Sequence, residues 1–331
     1  MLTIILAILL FLFLIFPHEL GHFLMARAMG VKVNEFSFGM GPAIWKKQGK
    51  ETLYSMRILP LGGYCAMEGE DKDSDDERAF NRKSPGAKIL ILAAGAAMNV
   101  LIAIVVMSAI MFATGEATNV IDKVAKGSPA MAAGIEQGDR IVKAGGKKID
   151  NWYDFHEMMI GQKEAFDLTV ERKGEKKTLS VKPKEEKGRY IVGVSAVVER
   201  HLFGSIGRGA RNTWILTGRM YAGIKDLVTG KVAMKEVTGP VGMIGLVHRT
   251  TSQGMIPFFY LLAFISLNLA IFNLLPFPAL DGGRIVFVVI RMVTGKAITD
   301  RQENIVHATG MALLLTLMVF ATWNDLIRIF R

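Results

Sequence analysis

The chain is 331 residues long, 51% hydrophobic and 21% charged, with a formal net charge of +10 from 40 Lys+Arg against 30 Asp+Glu. A mean hydropathy of +0.32 excludes a disordered chain and an ordinary soluble globule. A single cysteine, Cys65, excludes an intramolecular disulfide framework and any Cys₂His₂ or Cys₄ zinc site. What remains is a polytopic α-helical membrane protein with a water-soluble portion.

Residues 1–30 predict the first of four transmembrane helices. Thirteen apolar residues, Ile4 to Phe16, run without a break into Pro17, His18, Glu19 and His22. A signal peptide is the poorer reading, since no positive segment precedes the apolar run and no small-residue cleavage site follows it. Residues 31–88 predict a cytoplasmic, membrane-associated β-hairpin region. Its first part is Gly-rich, with Phe36, Phe38, Ile44, Trp45, Leu53 and Tyr54 alternating with polar positions. The run Glu68 to Glu77 adds seven carboxylates in ten residues, read as a solvated loop, with a weak Ca²⁺ site as the alternative. Residues 89–113 form the second span.

Residues 114–187 read as a small α+β domain. Strands at Asn119–Val124, Asp139–Val142, Phe166–Glu171 and Lys177–Val181 surround a helix at Trp152–Ile160. Pro129 opens a helical turn, Gly134 ends it, and Gly138-Asp139 turns into the next strand. The run from Ser128 to Asp139 resembles the SPAxxAGIxxGDxI pattern of bacterial PDZ domains. That resemblance implies a bound extended peptide; a folded spacer without a ligand is the alternative. Residues 188–255 read as a linker with an amphipathic helix at Thr213–Val228, which either sets Trp214 and Tyr221 at a membrane interface or packs on the inserted domain. Residues 256–283 are the third span, interrupted by Pro276 and Pro278. A connector (284–304), a fourth span (305–324) and a tail (325–331) complete the chain.

Orientation follows the short connectors, because Lys and Arg favour the cytoplasmic side. Eleven lie between Arg27 and Lys88, and four (Arg284, Arg291, Lys296, Arg301) between the last two spans; the tail holds Arg328 and Arg331. Both connectors are therefore expected in the cytoplasm, with both termini and the inserted domain on the extracytoplasmic side.

The strongest chemical signal is His18-Glu19-Leu20-Gly21-His22. Residues i and i+4 share a helix face, so both imidazoles can address one metal ion, zinc by this spacing. Glu19, about 100° away around the helix, can act on a water activated at that ion and hand its proton to a leaving amine. A catalytic zinc needs a third protein ligand. His156, His201 and His248 are poorly placed for it, and His307, at the start of the last span, is a competitor. The better candidate is Asp281, where two prolines break the third span and Gly282-Gly283 lets the chain bend. Its alternative role is a helix N-cap. By the expected topology, spans one and three run in the same sense, bringing the HELGH segment and Asp281 to the same side of the membrane.

Taken together, HELGH at 18–22, Gly95-x-x-x-Asn99 in span two, the SPAxxAG element, Gly239-Pro240-Val241-Gly242 and NLLPFPALDGG at 273–283 resemble the site-2 protease family of intramembrane zinc metalloproteases. The likeness is to its bacterial branch with a PDZ domain between transmembrane helices two and three. It implies cleavage within or beside the transmembrane helix of single-pass substrates, such as anti-sigma factors or remnant signal peptides, in regulated intramembrane proteolysis at a bacterial cytoplasmic membrane. It further implies Zn²⁺ held by His18, His22 and Asp281, with Glu19 as catalytic base and then acid. Asn273, Pro276 and Pro278 would shape the substrate site, and the 31–67 region would pair with an unwound substrate strand. Unwinding frees backbone groups that Asn99 or Asn273 could bond; interhelical packing is the alternative for both.

Two other classes compete. A catalytically silent membrane scaffold built on the PDZ-like domain would not need Glu19, and a zinc transporter would need several intramembrane His/Asp clusters. No nucleic-acid partner is expected, since the Lys and Arg flank membrane spans without a recognition motif.

Overall fold

The computed structural model describes all residues except 1, 71, 187, 232–238, 296–298 and 331; Asp71 of the acidic run, and Lys296 and Arg331 of the orientation count, fall outside them. The chain divides into two compact units, one of Met1–Ile110 with Ile206–Arg331, the other of Met111–Ser205.

The first unit starts with α1 (Leu2–Ala28), which stays helical through Pro17. A strand pair follows, β1 (Val33–Gln48) and β2 (Leu53–Met67). These two strands pair antiparallel and also fold back on themselves. Phe36 pairs with Cys65 on one side and Tyr54 on the other, and Ser55 in turn pairs with Lys46. The register shifts repeatedly, and at Gly39 and Gly62 φ is +85° and +89°, angles that glycine adopts without strain. The segment 63–67 thereby becomes an edge beside α1.

Four helices among the described residues are long and apolar enough to cross a membrane: α1 from Ile8, α2 (Pro85–Thr114), α7 (Met255–Leu274) and, from Gln302 to Arg328, the last helix α9 (Asp300–Phe330). The chain is an integral membrane protein. α1 and α2 approach closely because Gly21 lies against the backbone of Ala94 and Gly95, where a Cβ would overlap the Ala94 carbonyl. Leu10 and Leu14 of α1 pack with Phe258, Leu261 and Leu262 of α7.

The third span is shorter than its apolar run predicts. α7 stops at Leu274, and the chain turns through the two prolines into a separate helix, α8 (Asp281–Thr294). The stretch read as linker holds more structure than its composition suggests: α5 (Leu202–Val228) and α6 (Pro240–Ser252). Gly239, which caps α6, lacks a side chain; the buried Asp325 of α9 takes the Gly242 N–H at 2.7 Å instead, across 83 residues of sequence from Gly242. The acidic run is not simply solvated. Glu68 and Asp76 face Lys32, Asp75 binds Arg82, and Glu70 binds Arg284.

In the second unit, β3 (Glu116–Val124), α3 (Pro129–Ala132), β4 (Arg140–Ala144), β5 (Lys147–Lys148), α4 (Trp152–Met159), β6 (Phe166–Arg172), β7 (Glu175–Val181), β8 (Lys184–Glu186), β9 (Arg189–Ile191) and β10 (Val194–Glu199) follow in order. The main sheet runs β10-β3-β4-β6-β7, so a strand from beyond residue 187 completes it. Ile121, Ile141, Leu168, Val170 and Val181 fill its core without exposure. Ser128 caps α3 with Pro129 in its first turn, and α4 begins with a reciprocal capping box between Asn151 and Asp154. Asp139 is fully buried and accepts both Arg172 Nε and Nη2 at 2.7 Å, plus the Glu136 N–H at 3.0 Å. Burial pushes its carboxyl up, but these bonds outweigh burial and hold it below the usual carboxylate range.

Candidate metal centre

One helical turn of α1 presents both imidazoles of the HELGH segment to the same point, their rings nearly perpendicular at 87°. They enter a notch on α2 that exists because residue 95 is glycine. A Cβ there would fall on His22 Nε2 and within 2.7 Å of His18 Cε1. His22 Nδ1 donates to the Ile91 carbonyl at 2.9 Å, which fixes the tautomer and leaves the Nε2 lone pair facing inward.

Asp281 arrives through the proline turn that follows α7. Its approach also needs glycines: a Cβ at Gly282 would overlap the Leu275 carbonyl, and one at Gly283 the Phe277 carbonyl. The α8 cap position falls on Leu280, so Asp281 is the first helical residue rather than the N-cap.

Asp281 Oδ2 stands 3.3 Å from His18 Nε2 and 3.3 Å from His22 Nε2, and the two nitrogens stand 3.3 Å from each other. Among the described residues this is the one His/Cys/Asp/Glu group of three or more with metal-binding proximity. Asp281 Oδ2 makes no hydrogen bond, nor does His18 Nδ1. Three electron-rich atoms turned toward one another repel unless a cation lies between them. Tetrahedral zinc with ligands at about 2.0–2.1 Å separates its donors by about 3.3–3.4 Å, the spacing found here. The donor set therefore fits a divalent metal with one position left open.

These groups open into a cavity of about 470 Å³ lined by His18, Glu19, His22, Tyr64, Cys65, Glu70 and Asp281, among others. Glu19 does not join the triangle; its Cγ lies against Gly63, where a Cβ would come within 3.4 Å of it. It thus sits between the imidazoles and the β2 edge. Cys65 lines the cavity as a neutral thiol, because burial and the carboxylates of Glu19 and Glu70 push its ionisation up. Tyr64, Glu70 and Arg284 carried no sequence signal. In the sequence Glu70 counted only as part of the acidic run and Arg284 only toward orientation.

The other sequence candidates are placed unequally. Asn273 Nδ2 lies 3.4 Å from His18 Nε2. Asn99 is fully buried in α2, where its backbone carbonyl accepts the Ser266 hydroxyl at 2.9 Å and neither side-chain polar atom has a partner. Pro276 and Pro278 belong to the turn before Asp281 and do not line the cavity. His307 stands outside the donor triangle; its Nδ1 accepts the Ala279 N–H at 2.8 Å. The inserted unit has its own groove of about 640 Å³, between α4 and residues 188–194, lined by Trp152, Phe155, Met159 and Tyr190 among others.

Several curated relatives match nearly the whole chain. A relative from Clostridium perfringens, CPE1693, is 40% identical over 329 residues, covering 98% of each chain. The zinc metalloprotease RasP of Geobacillus kaustophilus is 29% identical, covering 96% of each. The regulator of sigma-W protease RasP of Bacillus subtilis is 28% identical, covering 99% of each. Among solved structures, the PDZ domain of an SdrC-like protein from Listeria innocua aligns with 26% of this chain and 98% of its own, at 19% identity and a TM-score of 0.23. Peptidase family M50 matches residues 6–317, and the chain belongs to that family.

Proposed function

We propose that this metalloprotease cleaves peptide bonds in the transmembrane segments of single-pass membrane proteins, with zinc held by His18, His22 and Asp281. The observation that carries the reading is the 3.3 Å donor triangle with Glu19 beside it in one cavity. When bound, zinc supplies a Lewis acid that polarises a carbonyl and acidifies water. Glu19 then takes the proton of the attacking water and delivers it to the leaving nitrogen. The β2 edge at 63–67 offers backbone groups to a locally unwound substrate strand. Asn273, beside His18, donates to a substrate carbonyl, while Pro276 and Pro278 fix the wall next to Asp281. Asn99 is a further candidate contact for exposed substrate backbone.

The naming of one relative as a regulator of sigma-W protease supports a substrate that controls a sigma factor; remnant signal peptides have the same single-span chemistry. The groove of the inserted PDZ unit takes an extended peptide. The Lys/Arg distribution favours a cytoplasmic metal site and an extracytoplasmic PDZ unit. Reconstitution of the Glu19→Gln variant with a single-pass substrate tests the mechanism. It is expected to retain zinc and lose cleavage; cleavage at the parent rate contradicts it.

A further inference from the structure

The turn that delivers Asp281 is held in place from outside. Phe277-Pro278-Ala279-Leu280 closes with the Leu280 N–H on the Phe277 carbonyl at 3.2 Å. Pro278 occupies the position where its fixed φ is favoured, and Ala279 the next, at φ +73°. A turn of this kind takes glycine or asparagine there by preference. Alanine in the left-handed region is strained, and such conformations persist when their surroundings enforce them.

The enforcing contacts come from α9. His307 Nδ1 accepts the Ala279 N–H at 2.8 Å. One turn further along the same helix face, Gly310 lets the backbone reach Pro278; a Cβ there would stand 2.6 Å from the Pro278 carbonyl oxygen. Phe287 of α8 lies 5.5 Å from the His307 ring, centroid to centroid, and Glu303 Oε1 lies 3.6 Å from its Nε2. The ring is therefore flanked by Phe287 and Glu303, its Nε2 makes no hydrogen bond, and its Nδ1 lone pair faces the turn. Pro276 and Pro278 have no N–H, and Phe277 donates to the Leu275 carbonyl at 2.7 Å. Among the non-helical residues of the turn, the Ala279 N–H is thus the group that α9 anchors.

We propose that His307 is a positioning residue for Asp281: by binding the Ala279 N–H it locks the turn that aims the carboxylate at the two imidazoles. This rests on the reading of Asp281 as a zinc ligand. Supporting groups of this kind change metal affinity by about 10–100-fold.

The test is the rate of zinc loss to a chelator from the purified full-length protein, with cleavage kinetics measured in parallel. His307→Phe keeps the ring and removes the acceptor; zinc loss should accelerate about tenfold or more, with kcat falling and KM little changed. His307→Asn puts an oxygen near the Nδ1 position and should restore both values to within about threefold. His307→Gln, whose acceptor falls at the other ring nitrogen, should not. Adding Ala279→Gly to His307→Phe should recover much of the loss, because glycine adopts the positive φ unaided. Parent-like zinc retention in His307→Phe, or equal behaviour of the Asn and Gln variants, overturns the proposal. Should the Phe variant fail to accumulate, the Asn–Gln contrast decides alone. Asp281→Ala, run alongside, separates the two levels: full zinc retention there removes Asp281 as a ligand, whereas zinc loss there with parent-like His307→Phe removes only the role of His307.

Discussion

The two units bury carboxylates in opposite ways. Asp139 in the inserted unit is fully buried and satisfied on both oxygens by Arg172 and a backbone N–H. Asp281 in the membrane unit is partly buried, and among the described residues its Oδ2 meets two imidazole nitrogens at 3.3 Å without a hydrogen bond. A closed network of the first kind rigidifies a core and leaves nothing to bind. The open one is costly as it stands and becomes favourable when a cation completes it. Stability and reactivity are thus read from the same question, namely which buried polar atoms lack partners.

The contrast breaks first at Glu19. Glu19→Gln should lower cleavage about 10²–10⁴-fold while zinc content, measured by elemental analysis, stays at the parent level and the inserted unit melts as before. Next is Gly95→Ala, whose Cβ would occupy the place of His22 Nε2. Zinc affinity should fall about 10–100-fold, a loss with no counterpart in Asp139 variants. Arg172→Met should act on the other side only. It strands a buried charge, lowering the stability of the inserted unit by about 3 kcal/mol, visible as faster hydrogen exchange at Ile121 and Ile141, with zinc unchanged.

Acidification sharpens the same point. The Asp139 carboxyl is depressed in the folded state below its ordinary value of 3.8, so its contribution is complete above that value. It should be lost as pH falls below that, through the lower folded value. Thr169→Ala, at an exposed cross-strand hydroxyl pair with Thr178, should change the unfolding free energy of the inserted unit by less than about 0.5 kcal/mol.

The HELGH spacing, the four apolar segments and the glycine-proline turn around Asp281 were legible in the sequence because each depends on local geometry. The Ser128-to-Asp139 signature was legible for the same reason, its cap and turns being set within a few residues. The long-range parts were not. That Gly95 forms the notch for both imidazoles is a fact of helix packing, although the residue itself stood out. That Asp325 caps α6, or that Glu70 binds Arg284 rather than water, depends on chain segments brought together only by the fold. β10 hid in a linker-like stretch because Val194, Val197 and Val198 are too few to mark a strand without its partner β3. His307 looked like a rival ligand because a histidine at the membrane boundary is chemically ambiguous until its neighbours are known.

X-ray absorption at the zinc edge of the full-length protein tests the central claim most directly. The account predicts four light-atom neighbours at about 2.0–2.2 Å, two of them imidazoles and one a carboxylate oxygen, with the carboxylate signature lost in Asp281→Ala. A sulfur neighbour at about 2.3 Å from Cys65, or a third imidazole in place of the carboxylate, would contradict it.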